Sequence, residues 1–421
     1  MSGGAASVVV QLEGHIIDSL VLPRVFDAIL DAGADYEIVD VRIGKTSLDT
    51  SWARIRINAL TNDDLAELLE ELKVHGVNPE RQDECALQPA PADGVLPEGF
   101  YASTNLPTSV LVGDRWLAVE PAEMDCAVIV VEGRAVARPM ADVRRGEMVV
   151  VGAAGIQVNT LEKPVDESAF AFMTSEVSTE KPKAQLLDRV ATRIRACHQR
   201  GGKVLAVVGP AVVHTGASPS LAHLVRHRDI DVLFAGNGFA VHDIEIDLYG
   251  TSLGVPVEAA TGAIDRHANH LRAVNRVRSW GSILEGVRRG ELRSGTMYEC
   301  VQAGVPFVLG GSVRDDGPLP DVLTDVMEAQ RRMRALVPGV EVALMLGSTL
   351  HAIATGNLLP ATVETFCVDI NPAVVTKLAD RGTRQALGIV TDVGLFVREL
   401  ADALGGLGAE PTRPAPRRES R

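Results

Sequence analysis

Residues 342–353 read VALMLGSTLHAI and residues 365–372 read TFCVDINP. In the first stretch an apolar strand stops at Gly347-Ser348-Thr349, and in the second another strand ends on Asp369. A turn of small residues running into a helix lets backbone N–H groups approach a pyrophosphate, and an acidic side chain about 20 positions on can accept the ribose hydroxyls. The interval from Gly347 to Asp369 meets that requirement, although the three-glycine GxGxxG form is absent and Gly347 stands alone in the turn. The pair points to a parallel α/β domain with a nucleotide at its strand ends.

Strand and helix patterns alternate around this pair from 183 to 405, beginning with the helical period of KAQLLDRVATRIRACH (183–198). That alternation predicts a Rossmann-like, doubly wound parallel sheet. Residues 1–92 read strand, helix, strand, strand, helix, with Pro23 near the start of the first helix and Gly33 and Gly76 just past the two helices. This is a small α+β unit, with a ferredoxin-like order as one form, and the alternation of RIRI (54–57) implies one wet sheet face. Between 93 and 182 short strands such as SVLVG (109–113), CAVIVV (126–131) and EMVVVG (147–152) are spaced by Gly, Pro and Asp, which predicts a small β-barrel or sandwich. Residues 406–421 are rich in Pro and Arg without periodicity and are expected to form a disordered tail. The fold class is α/β.

The chain has 421 residues, 46% of them hydrophobic, and a net charge of −14, which disfavours a nucleic acid or an anionic membrane surface as the main partner. Its apolar runs, MVVVGAAGI (148–156) among them, fall short of a membrane span, and no basic region leads into an apolar one at the N-terminus. A cytoplasmic protein acting on a small molecule is the expectation. Five cysteines are scattered without CxxC or short Cys/His spacing, so neither a disulfide framework nor a metal site is indicated.

Ligands of parallel sheets bind beyond the carboxyl ends of the strands. Six such exits carry small or polar residues: GPAVVHTGA (209–217), AGNGFAVHDIE (235–245), GGSVRDDG (310–317), GSTLH (347–351), DINP (369–372) and TDVG (391–394). Packing alone does not account for that density at one edge. Within it, Gly236-Asn237-Gly238 fits a tight turn and a close backbone approach to a cofactor equally well. His214, His242 and His351 each follow a strand end, with Asp243 and Glu245 beside the second, a set able to move protons or simply to hydrogen-bond within loops. Arg314 is placed to hold a substrate carboxylate by a bidentate pair or to join a surface salt bridge. Asp369 and Asp392 fit helix starts as well as cofactor contacts.

Taken together, these loops resemble a known family along nearly the whole chain. LEGHIIDSLVLPRVFD (12–27), RIGKT (42–46) and DTSWAR (49–54) look like the conserved domain of lysine-oxoglutarate reductase/saccharopine dehydrogenase (LOR/SDH) bifunctional enzymes. TNLPT (104–108), GPAVVHTGA, AGNGFAVHDIE, LYGTSLG (248–254) and MLGSTLHAIATGNLLP (345–360) resemble the archaeal-type ornithine cyclodeaminases and the C-terminal part of cyanobacterial arginine dihydrolase/ornithine cyclodeaminase fusions. The chain begins at the LEGH domain, so dihydrolase activity is not implied. The C-terminal domain is also similar to the NAD domain of deoxyhypusine synthase.

This resemblance implies conversion of L-ornithine to L-proline and ammonia. A hydride leaves the α-carbon for NAD⁺, the δ-amine attacks the resulting imine, ammonia departs and the cyclic imine recovers the hydride. NAD contacts would fall on Asn237, Gly238, Asp316, Ser348, Thr349, Leu350, His351, Asp369, Asp392 and Val393, and catalysis on His214, His242, Asp243, Glu245 and Arg314. A carboxylate at 369 favours NAD over NADP, because it repels a 2′-phosphate. The family loop is expected to read GNALA where this chain has GNGFA (236–240), so Gly238 and Phe239 bear on pocket shape. The expected assembly is a homo-oligomer. Two other readings are an opine- or saccharopine-type oxidoreductase with net NADH production, and a catalytically silent NAD-binding regulator.

Overall fold

The computed structural model describes residues 6–14, 16–17, 21–45, 49–73, 75–80, 84–159, 183–252, 255–256, 269–315, 317–380 and 386–405. The chain divides into two compact units, one of residues 1–176 with 357–362 and one of residues 177–356 with 363–421.

In the first unit, β1 (Ala6–Gly14), α1 (Val21–Asp31), β2 (Asp35–Arg42), β3 (Ser51–Ala59), α2 (Asn62–Lys73) and β4 (Asn78–Pro79) build an antiparallel sheet of order β2-β3-β1-β4, the arrangement of a ferredoxin-like unit. α1 buries Leu22, Val25 and Ile29, one stripe of a 3.6-residue period, against β1 and β3. Every second residue of β3 from Ser51 to Ala59 is buried, so the expected alternation at RIRI holds. Pro23 falls inside the first turn of α1, where its missing N–H costs nothing because first-turn donors have no intrahelical partner.

The second sheet of this unit contains β5 (Ala86–Pro89), β6 (Thr108–Val112), β7 (Arg115–Glu120), β8 (Ala127–Val131), β9 (Arg134–Arg138), β10 (Met148–Val151) and β11 (Ile156–Val158), in the order β11-β6-β7-β9-β8-β10-β5. A bond from Cys85 N–H to Leu111 C=O, 2.8 Å, curls the β5 end toward β6, so the sheet is a partly closed barrel. β5 pairs with β10 here, although its residues lie before the sequence-drawn boundary at 92. Residues 357–362 also group with this unit and not with the Rossmann-like region: Ala361 N–H donates to Asn105 C=O at 2.9 Å, and Asn357 Nδ2 to Asp125 at 3.1 Å. The proposed tail, 406–421, lies outside the described residues.

The second unit opens with α3 (Lys183–Gln199) and then alternates: β12 (Lys203–Val208), α4 (Ala211–His214), α5 (Ser218–Arg226), β13 (Val232–Gly236), α6 (Asn237–Tyr249), the small hairpin β14 (Thr251–Ser252) and β15 (Val255–Pro256), α7 (Asn269–Trp280), α8 (Ile283–Arg288), α9 (Thr296–Ala303) and β16 (Phe307–Gly310). It continues with β17 (Val322–Leu323), α10 (Val326–Leu336), β18 (Val340–Leu346), α11 (Leu350–Leu358), β19 (Glu364–Asp369), α12 (Pro372–Asp380), β20 (Ala386–Val390) and α13 (Val393–Leu404). Its sheet is parallel throughout, with order β17-β16-β13-β12-β18-β19-β20. β12 and β18 are apolar and buried over nearly their whole length, as strands covered on both faces must be. From β12 the chain winds outward to β17, then returns to β18 on the other side. The winding therefore reverses between β12 and β18, which is where an open α/β sheet leaves a crevice.

Candidate functional site

Two glycines shape the crevice. Gly209 N–H donates to Leu346 C=O at 2.9 Å, and a Cβ on Gly209 would stand 1.9 Å from the Gly347 carbonyl oxygen. Gly347 has φ +56°, left-handed backbone that glycine adopts freely, and a Cβ there would press on Ala211 Cβ at 3.0 Å. The exits of β12 and β18 thus meet backbone to backbone, and only glycine permits it. Ser348 and Thr349 then lead into α11, whose first-turn N–H groups lack intrahelical acceptors.

Beside the switch point, on the side of β12, β13 and β16, lies a cavity of about 510 Å³. His214 enters it from α4, Asn237, Gly238 and His242 from α6, His270 from α7, Arg314 from the loop after β16, and Ser348 and His351 from the β18 exit. Phe239, Val241, Leu271 and Val274 give it an apolar wall. The imidazole of His351 lies across two strand ends: a Cβ on Gly236 would sit 2.8 Å from its Cε1, and one on Gly310 3.2 Å from its Nε2. Burial lowers the His351 pKa below the ordinary histidine value, against the opposing pull of Asp315.

The titratable heart of the cavity is a pair of histidines with ring centroids 4.9 Å apart, His214 and His242. His214 Nδ1 is 2.8 Å from Ser252 Oγ. Burial lowers the His214 pKa, the neighbouring His242 lowers it further, and Glu245 opposes them. His242 Nδ1 is 3.0 Å from Oε2 of Glu245, one helical turn along α6, and the Glu245 side chain is fully buried. His270 lies further out, its ring centroid 6.4 Å from that of His242.

Asp243, grouped by sequence with His242 and Glu245, does not reach the cavity. Its carboxylate accepts the Ser218 hydroxyl and the backbone N–H groups of Thr296, 3.0 Å, and Met297, 2.8 Å, at the start of α9. Gly295 makes room for it, since a Cβ there would fall 2.8 Å from Asp243 Oδ2. The cause is helical geometry: consecutive residues point about 100° apart, so the neighbour of a cleft residue faces the interior. Burial pushes the Asp243 carboxyl up, while its hydrogen bonds pull it back.

The other sequence-selected residues divide between the two sides of the switch point. Asn237 Oδ1 accepts Leu319 N–H at 3.0 Å, which pins the loop after β16 to the start of α6. Among the described residues, the notional Cβ of Gly238 meets only Pro210 Cγ, at 3.5 Å. Arg314 is exposed over the cavity. Thr349, Leu350, Asp369, Asp392 and Val393 stand on the β18–β20 side and do not line the cavity. Asp369 Oδ1 accepts Asn371 N–H at 2.8 Å, Asp392 caps α13 through Leu395 N–H at 2.7 Å, and the Val393 methyls pack 3.4 Å from the notional Cβ of Gly347. Leu350 is 81% exposed at the head of α11. Asp316 lies outside the described residues. Sequence reading had not singled out Thr251, Ser252, Asn269 and His270. The first two sit in the LYGTSLG motif, and the last two open an amphipathic helix, where a buried Asn followed by a half-buried His is an unusual start. Among the described residues no His, Cys, Asp and Glu cluster has the form of a metal site.

Residues 188–400 match a family model described as arginine dihydrolase ArgZ-like, C-terminal, Rossmann fold. Residues 107–187 match the first region of the same C-terminal part, and residues 7–106 match the LOR/SDH bifunctional enzyme conserved region. An ornithine cyclodeaminase of Methanopyrus kandleri is 51% identical over 399 residues, 94% of this chain and 97% of its own. The apo structure of ArgZ, an arginine dihydrolase from the cyanobacterial ornithine-ammonia cycle, is similar with TM-score 0.83 and 35% identity, over 95% of this chain and 58% of that one. The ternary complex of AgrE with ornithine and NAD⁺ is similar with TM-score 0.52 and 39% identity, over 95% and 57% of the two chains.

Proposed function

The chain belongs to the archaeal-type ornithine cyclodeaminases, and we propose that it converts L-ornithine to L-proline and ammonia with NAD held at the carboxyl edge of its parallel sheet. One observation carries the reading: the backbone-lined crevice at Gly209 and Gly347 opens beside a cavity holding a buried histidine pair, so a cofactor site and a proton-transfer site share one edge.

The residues fit NAD. The close backbone approach of Gly209 and Gly347 keeps side chains off the turn, which suits a pyrophosphate, the turn at Ser348, Thr349, Leu350 and His351 supplies N–H donors, and Asp369 has one carboxylate oxygen engaged by Asn371 and a second left for a ribose hydroxyl. Asn237 and Gly238 border the same edge, and Asp316, Asp392 and Val393 complete the proposed contacts. When bound, NAD⁺ accepts a hydride and returns it, so the reaction has no net redox.

The remaining work falls to the chain. Arg314, which lines the cavity, binds the substrate carboxylate in a bidentate pair and orients the α-carbon. His242, held by Glu245, takes the proton that the α-ammonium must lose before oxidation. His214, kept neutral by burial, accepts the proton of the δ-ammonium so that the free amine can attack, and returns a proton to the departing ammonia. Phe239, Val241 and Val274 keep bulk water from the imine. Asp243, with its carboxylate at the start of α9, drops out of the catalytic set.

Purified protein incubated with L-ornithine tests this directly. Proline and ammonia in equal amounts, with no build-up of NADH, is the expected result; steady NADH release would instead support an amino-acid dehydrogenase. We also propose a cytoplasmic homo-oligomer. Five free, buried cysteines and the lack of a membrane-spanning helix among the described residues support the first part. Exposed Ile38 and Val41 on the edge strand β2 support the second, which light scattering would check.

A further inference from the structure

The side chains behind His242 form a hydrogen-bonded line that ends on a cation. Arg272 Nη1 donates to Asn269 Oδ1 at 3.0 Å, Asn269 Nδ2 to Thr251 Oγ1 at 3.0 Å, and Thr251 Oγ1 to Glu245 Oε1 at 2.7 Å, while Glu245 Oε2 faces His242 Nδ1 at 3.0 Å. Glu245 and Thr251 are fully buried, Asn269 nearly so, and His242 keeps 8% of its surface. Neither Thr251 nor Asn269 lines the cavity, and a side-chain hydrogen bond joins them.

The line has one possible polarity. A guanidinium only donates, so the Asn269 oxygen must face Arg272 and its NH₂ must face Thr251. The Thr251 oxygen is then occupied as an acceptor, and its single proton must point at Glu245. Glu245 therefore accepts at both oxygens, which favours its ionised form and requires an N–H on His242 Nδ1. That leaves Nε2 of His242 as the basic nitrogen for the cavity.

We propose that Thr251 and Asn269 are positioning residues of the reaction, which fix the charge on Glu245 and, through it, the tautomer and orientation of His242. The proposal rests on the acid-base reading of His242 given above. Among the described residues, the charged and titratable groups facing His242 are Glu245 on its own helix, His214 on α4 and His270 on α7, with Arg272 at the far end of the line.

The test is a set of variants assayed for ornithine turnover, bound NAD and thermal unfolding. Thr251→Val keeps the shape and removes the hydroxyl; kcat should fall by about ten- to a hundredfold with KM for ornithine and NAD content unchanged. Thr251→Ser, which restores the hydroxyl, should restore turnover. Asn269→Asp, which offers Thr251 an acceptor in place of a donor and so draws the hydroxyl proton away from Glu245, should lower kcat in the same way, and it serves where the valine variant fails to fold. Folded Thr251→Val or Asn269→Asp protein with full kcat overturns the proposal, as does a serine variant no better than valine. Full turnover in His242→Asn would sink the acid-base reading itself, whereas an inactive His242→Asn beside fully active Thr251 and Asn269 variants removes only the positioning line.

Discussion

Asp369 and His214 are the residues whose single atoms decide most. With one Asp369 oxygen taken by Asn371 N–H, the proposed ribose contact falls to the other, and a hydrogen bond to a charged group contributes about 1.5–3 kcal/mol. Asp369→Ala should therefore weaken NAD retention by roughly ten- to a hundredfold and leave the unfolding temperature of the NAD-free protein nearly unchanged. NAD content equal to wild type after gel filtration would remove Asp369 from the site. For His214 the sign follows from its surroundings. Burial and His242 depress its pKa, so the ring remains a neutral base as the pH falls below the ordinary histidine value of about 6.5. The acid limb of kcat/KM should lie below that value, and a limb on the alkaline side of it would exclude His214 as the base. The same residues show what sequence can and cannot deliver. Both stand out as polar groups at strand ends, whereas Thr251 and Asn269 carry no chemistry of their own and become visible only once folding brings them to Glu245.

At the scale of elements, the helical period of α6 decides which neighbour of His242 shares its surroundings. Glu245, three residues on, returns to the same helix face, while Asp243, one residue on, points to α9. Adjacency in sequence suggested a group of three; the helical period makes it a pair and a cap. Asp243→Ala should destabilise the unit by about 1–3 kcal/mol, since two N–H groups at a buried helix start lose their acceptor, and should leave kcat of the folded fraction largely intact. Calorimetry and single-turnover assays check the two halves. The β12 and β18 exits support a sharper contrast. Gly209→Ala puts a methyl 1.9 Å from a carbonyl oxygen, so the strands must part, at about 1–3 kcal/mol and with loss of NAD binding. Gly238→Ala puts a methyl at ordinary contact, 3.5 Å from Pro210, and should be tolerated. A destabilised Gly238→Ala with a normal Gly209→Ala would reverse this account of the crevice. The GNGFA loop thus departs from the expected GNALA at a position with space for the missing methyl, and the larger Phe239 ring is accommodated in the core beside it.

For the molecule as a whole, the alternating apolar strands and helices of residues 183–405 were legible because each element repeats a local period. What escaped was pairing between distant segments. Ala86–Pro89 joins a sheet whose partner strand lies some sixty residues later, and residues 357–362 leave the α/β region to bond with Asn105 and Asp125, choices that no local pattern encodes. The switch point gives the large-scale reading its strongest consequence. Proposed NAD contacts, most of them on the β18–β20 side, and proposed acid-base groups on the β12–β16 side flank one switch point, so oxidation and reduction are expected to occur without the intermediate or the cofactor leaving. A hydride removed from the ornithine α-carbon should then return to the same carbon of the cyclic product. With α-deuterated ornithine, proline should carry the deuterium at its own α-carbon, and excess unlabelled NADH in solution should not dilute it. Mass spectrometry of the product reads this out. Proline without the label, or label accumulating in free NADH, would mean that the two half-reactions are separable. Label in free NADH with no proline formed would mark a dehydrogenase of the net-oxidising kind despite its family, whereas unlabelled proline, at the same oxidation level as ornithine, would mean that the cofactor exchanges between the two half-reactions.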